Sequence, residues 1–177
     1  MEPSASRTVG QVYIAQARHR LAAAHQRITH CLDQLTDSQL WWRPHESMNS
    51  IANLVLHLSG NVQQWIIAGV SGRADTRNRP QEFAARGPIP KAELARRLDA
   101  VVHEADAALV AVTDAQLLEP RRIQGFDETV LAAIFDSLAH FQGHTQEIIH
   151  LTRLQLGDRY RFAWTPATPE QGAATLR

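Results

Sequence analysis

The chain has 177 residues, enough for one ordinary domain with a core of its own. Lys plus Arg and Asp plus Glu each number 18, so the formal charge is zero, and neither nucleic acid nor an anionic membrane surface has an electrostatic hold on it. No apolar run is long enough to span a bilayer, the first ten residues lack the apolar stretch of a secretory signal, and the lone Cys31 cannot close an internal disulfide, so a cytoplasmic setting is expected.

Four helical patterns follow in chain order, with no convincing strand. The first covers residues 9–35, where Tyr13, Ala17, Leu21, Ala24, Ile28, Leu32 and Leu35 recur at steps of three and four. The second covers 50–68, with Asn49 or Ser50 as its cap, Gly69 as its end, and Ile51, Leu54, Leu58, Val62 and Trp65 as its buried stripe. A crossing rich in Arg, Gly and Pro fills 71–89, and such length inside a compact domain is often functional. The third helix covers 90–112, with Pro90 suited to the first position and a stripe of Leu94, Leu98, Val101 or Val102, Ala105 and Leu109. The fourth covers 128–156 and stops at Gly157, with Leu131, Ile134, Leu138, Phe141, Ile148 and Leu151 facing inward. Residues 1–164 therefore read as one all-α four-helix bundle with a long crossover between helices two and three, and 165–177 as a flexible tail.

A short internal echo accompanies this pattern. Thr36-Asp37-Ser38-Gln39-Leu40 and Thr113-Asp114-Ala115-Gln116-Leu117 each follow a helix, read as Asp-capped short turns, and precede a histidine-bearing helix. The echo suggests two helix-pair halves docked together, with helices two and four in contact.

Nine histidines direct attention to their placement. His140 and His144 are four apart on the fourth helix, which puts both rings on one face, one turn apart, where they can share a metal ion. Asp136 and Glu147 share that face and can each take the other ring N–H of a ligand histidine. His57 lies mid-helix between Leu54 and Leu58, so its ring nitrogens need partners. Asn61 and Gln64 lie on its face and are candidates, and an ordinary core histidine is the competing reading. Two helices that both aim histidine inward favour a shared ion. His25 is the reserve ligand; His19, His30, His45, His103 and His150 read as surface residues.

Three stretches carry a resemblance: Trp41-Trp42-Arg43-Pro44, the run from Ser50 through His57 to Asn61, and His140-Phe141-Gln142-Gly143-His144-Thr145-Gln146-Glu147-Ile148. Together they resemble the DinB/YfiT-like superfamily of bacterial four-helix metalloproteins, in a branch with an unusually Arg-rich crossing. The resemblance implies that His57, His140 and His144 hold a divalent ion, most often zinc or nickel, with open positions. Where many members read H-R-G-Q, this chain has His144-Thr145-Gln146-Glu147, which leaves the ligands in place but loosens any transfer of substrate contacts. Characterised relatives imply a transferase or isomerase that uses a low-molecular-weight thiol; looser description implies a metal-dependent hydrolase.

Elementary chemistry agrees with a reactive site. Three neutral imidazoles leave the ion its full charge, which lowers the pKa of a bound water or thiol. The expected function is a metal-dependent enzyme acting on a small molecule, by thiol transfer or hydrolysis; the alternative is a non-catalytic sensor or carrier. Trp41 and Trp42 read as caps on the core, Trp65 as core, and Cys31 as a buried inert thiol. Arg73, Arg77, Arg79 and Arg86 read as a solvated loop or, alternatively, as a clamp for carboxylates, with Arg77 and Arg79 the substrate-binding candidates. A homodimer is the expected assembly.

Overall fold

The computed structural model describes residues 7–163, so the expected tail at 165–177 lies outside the described residues. Four long helices form the bundle: α1 (Val9–Asp33), α3 (Ile51–Val62, continuing as a π-helix over Gln63–Val70), α5 (Lys91–Val110) and α6 (Val130–Leu156). Two short helices lie between them, α2 (Asp37–Trp41) and, in the crossing, α4 (Arg79–Ala84). None of the described helices is long and apolar enough to cross a membrane.

The starts are set by side-chain caps. Thr8 with Gln11, Thr36 with Gln39, and Ser50 with Asn53 form reciprocal capping boxes, and the Thr129 side chain accepts from the Ala132 N–H. Thr113 and Gln116 repeat the same exchange before a short 3-10 turn. The internal echo is thus a pair of Thr-x-x-Gln caps, each followed by a buried leucine, Leu40 and Leu117. Threonine, not aspartate, is the capping residue in both. The echo does not make docked halves, however. Helix α1 packs on α5 and α6, and α3 packs on the same two, so α1 and α3 sit diagonally across the bundle.

The core follows the expected stripes with local shifts. Val102 rather than Val101 faces inward on α5, and Val130 is buried while Leu131 is exposed on α6. The larger departure is at the end of α3. Gly69 does not stop the helix, which widens into a π turn and runs to Val70. A π turn spreads its residues over more chain per revolution, so the buried phase moves from Trp65 to Ile66 and Ile67. Trp65 turns away from the core.

A β-hairpin also appears where no strand was expected. Strands β1 (Pro120–Ile123) and β2 (Phe126–Thr129) pair antiparallel across Gln124-Gly125, both with positive φ. A two-residue turn of this hand matches the right-handed twist of the strands, and Gly125 adopts it freely. Glu128 is therefore a strand residue, and α6 starts at Val130. Ile123 packs on Gly69, where a Cβ would lie 2.4 Å from its Cδ1. The small residue that was expected to end the helix instead seats the hairpin against it.

Equal deletions at two leucines test this core. Leu54 is fully buried and Leu154 is 57% exposed. Leu54→Ala is expected to cost about 2–5 kcal/mol in urea unfolding, and Leu154→Ala under about 0.5 kcal/mol.

Candidate metal centre

Helices α3 and α6 are adjacent, and their packing brings His57, His140 and His144 together. One nitrogen from each lies within 4.8 Å of the others. The Nε2 atoms of His57 and His140 are 2.8 Å apart. The rings stand nearly perpendicular to one another, with centroids 4.5–5.2 Å apart.

The second nitrogens orient the rings. His57 is 4% exposed, and its Nδ1 lies 3.0 Å from Glu82 Oε2. Glu82 comes from α4, in the crossing. Arg77 donates to both of its oxygens, from Nε at 2.7 Å and Nη2 at 2.8 Å, and donates to Gln64 Oε1 from Nη1 at 2.9 Å. Burial alone would raise the Glu82 carboxyl, but the hydrogen bonds from Arg77 and His57 outweigh it and hold the group below the usual carboxylate range. Ionised Glu82 can only accept, so a proton on His57 Nδ1 satisfies this contact and is the tautomer whose Nε2 is free for a metal; Arg77 Nη2 also lies 3.1 Å from Nδ1. His144 is oriented likewise, its Nδ1 lying 2.7 Å from Glu147 Oε2.

These residues fit a divalent cation. His57 and His140 face each other through Nε2 at hydrogen-bond distance, where one N–H or one cation can bridge them. A proton could serve two nitrogens, but three converge here. The His140 imidazole is pushed down to about 4, mainly by burial and then by His144, His57, Arg77 and Arg79, so at neutral pH it is in the form that binds a metal.

A cavity of about 290 Å³ opens beside the imidazoles, lined in part by His57, His140, Asn61, Trp65 and Gln124. Trp65, displaced from the core by the π turn, donates from Nε1 to Gln124 Oε1 at the hairpin tip (3.2 Å). Phe83 of α4 lies against the His57 ring, centroid to centroid 4.7 Å, and the Arg79 guanidinium lies over Phe83 at 4.9 Å. The crossing is thus a cover on the site. Its far end is tied down through the bundle: Arg43 donates to Asn53 Oδ1 and Ala85 O, Asn53 donates to Glu82 O, and Trp41 Nε1 donates to Ile89 O.

The expected site residues fall into different places. Asn61 does not hold His57; it accepts from Ser137 Oγ at 2.9 Å on the cavity wall. Gln64 is likewise not the partner of His57, being bound to Arg77 and Asp75. Asp136 is exposed, lines the cavity, and makes no hydrogen bond to the three imidazoles among the described residues. Arg77 is not a free clamp: its side chain is 2% exposed and its donors go to Glu82 and Gln64. Arg79 keeps its guanidinium at the cavity. His25 is remote from the trio, 3.9 Å from Asp99 in a separate cavity between α1 and α5. Of the expected core caps, Trp41 is partly buried against the core and Trp42 is 40% exposed. Cys31 is fully buried, and burial pushes its thiol up.

Sequence reasoning missed Glu82. The signal it offered was slight: one of two acids in an Arg-rich crossing, five residues after Arg77. Removing it leaves a guanidinium and an imidazole buried without their anion. Glu82→Ala is expected to destabilise the protein by about 3–5 kcal/mol in denaturant unfolding, and Arg77→Ala by a similar amount. The double variant should cost less than the sum, because each single change strands the other's charge.

The family model described as a protein of unknown function (DUF1572) matches residues 8–167. A conserved protein of Enterococcus faecalis has a similar solved structure, with a TM-score of 0.70 at 18% identity over 86% of this chain and 99% of that one. The DinB-like protein YjoA of Bacillus subtilis is similar with a TM-score of 0.61 at 16% identity, over 79% and 92% of the two chains. At these identities the likeness concerns the fold. Among the curated proteins, none matches. The family model, matched along nearly the whole chain, makes the chain a member of the DUF1572 family, and its helical fold is similar to that of the DinB-like protein YjoA.

Proposed function

We propose that this protein is a metal-dependent enzyme acting on small molecules, with a divalent ion held by His57, His140 and His144. The observation that carries this reading is the convergence of three imidazole nitrogens at the edge of a cavity of about 290 Å³. Catalytic zinc takes three protein ligands and keeps a position open, whereas structural zinc is closed by four. Room beside the donors favours an enzyme over a carrier or sensor, whose ion the protein would surround.

When bound, such an ion supplies a Lewis acid that activates a small thiol or water near neutral pH. The chain's own residues do the remaining work. Glu82 and Glu147 fix the ring orientations of His57 and His144. Phe83 covers the His57 ring and keeps water from that side. Trp65 and Gln124 close the hairpin end of the cavity. Thiol transfer to an electrophile, with zinc or nickel as the ion, is the reaction class that the superfamily resemblance suggests. Hydrolysis is the second reading, and the same cavity accommodates it.

Purified protein is expected to carry about one divalent ion per chain by elemental analysis. His140→Ala should lose most of it, and His103→Ala, in the separate cavity between α1 and α5, should not. Equal metal in both variants would overturn the site. Two glycines give a finer test. A Cβ on Gly60 would lie 1.9 Å from Glu82 Oε1, whereas one on Gly143, between the α6 histidines, meets nothing within 4 Å. Gly60→Ala should weaken metal affinity about 10- to 100-fold in chelator competition by displacing Glu82 from His57. Gly143→Ala should leave it unchanged. A panel of small thiols with a generic electrophile should show a rate that chelation abolishes; a rate independent of metal with every thiol would remove the transferase reading.

A further inference from the structure

The cavity beside the imidazoles holds two opposite charges that the protein does not use. Arg79 and Asp136 both line it. Among the described residues neither forms an ion pair, and they do not pair with each other. Elsewhere on the surface Arg18, Arg73, Arg96, Arg97, Arg121 and Arg122 each hold a carboxylate. Arg79 is nonetheless held in place, stacked over Phe83, which itself lies on His57. A third group points the same way. Asn61 is 7% exposed; its Oδ1 is taken by Ser137, while its Nδ2 has no partner among the described residues and the side chain lines the cavity. That donor opens onto the cavity, where it is free to be accepted by a ligand.

We propose that the cavity binds a small zwitterion of the α-amino-acid class, its carboxylate on Arg79 and Asn61 and its ammonium on Asp136. The proposal rests on reading the cavity as the substrate site of the metal centre. A ligand with only negative charge would meet Asp136 unfavourably, and one with only positive charge would meet Arg79. An apolar ligand would strip water from both charges and from Asn61 with no return. A zwitterion answers all three groups at once. The volume of about 290 Å³ corresponds to about ten waters at roughly 30 Å³ each, which suits an amino acid with a side chain of modest size.

The test is calorimetric titration of metal-loaded protein with L-alanine, L-leucine and L-glutamine. For each, the analogue lacking the amine and the analogue lacking the carboxylate are titrated as well. At least one amino acid is expected to bind saturably below about 10 mM, and about tenfold tighter than either of its analogues. Arg79→Ala should weaken the amino acid and the carboxylate analogue about tenfold and spare the amine. Asp136→Asn should weaken the amino acid and the amine and spare the carboxylate analogue. No saturable binding of any of the three would overturn the proposal. So would binding that neither variant changes, which would mean contact with the ion alone. Elemental analysis of the same samples separates the two readings. Wild-type protein without metal sinks the metal centre, whereas fully loaded variants with unchanged binding sink only the zwitterion.

Discussion

A buried imidazole is tolerated only when its nitrogens are satisfied, and in this protein His57 is satisfied by Glu82. That pair in turn depends on Arg77, because a carboxylate taken out of water needs compensation from a cation. Histidine, carboxylate and guanidinium are each expensive to bury singly and acceptable together. Helix α3 supplies the histidine, and the crossing supplies the other two. The pair is therefore also the bolt that fastens the crossing to the bundle. Gly60 leaves the space for it, since any side chain there would occupy the position of the Glu82 carboxylate.

The cavity owes its form to departures from regular helix. The π turn at Gln63–Val70 rotates Trp65 out of the core and toward the site. The hairpin before α6 places Gln124 where Trp65 can bond it, and Gly69 lets the hairpin approach closely. Irregularity concentrated at one end of a bundle, next to converging donors, is the physical content of the functional reading. Arg79 and Asp136 extend it as charges on the cavity wall without an ion pair, whereas Arg77 on the same wall is neutralised by Glu82.

Much was legible in the chain because it is local. Helical periodicity gives the four bundle helices to within a few residues, since a 3.6-residue repeat of apolar side chains needs no knowledge of what it packs against. The i, i+4 spacing of His140 and His144 fixes their common face by the same geometry. Gly157 ends α6 and Ser50 caps α3, for reasons confined to one turn of backbone. A histidine inside an apolar stripe, as at His57, signals a buried polar group with a task even before its partner is known.

What the tertiary structure decided is everything that joins distant segments. Glu82 meets His57 across 25 residues of sequence, and an acid in a polar crossing looks like any solvated side chain until the crossing folds over α3. Asn61 and Asp136 share faces with the histidines but not contacts, because a shared face fixes direction and not reach. Arg77 and Arg79 are two residues apart, yet Arg77, just before α4, is buried against Glu82, whereas Arg79, the first residue of α4, lies exposed at the cavity over Phe83. The π turn and the hairpin are stabilised by each other, through Ile123 against Gly69, so neither is visible in its own segment. The sequence alone determined a helical bundle with three inward histidines, since that follows from periodicity along single helices. Their outer partners, their cover and their cavity were decided by packing between elements, where the energies of buried charge select one arrangement and no local repeat records it.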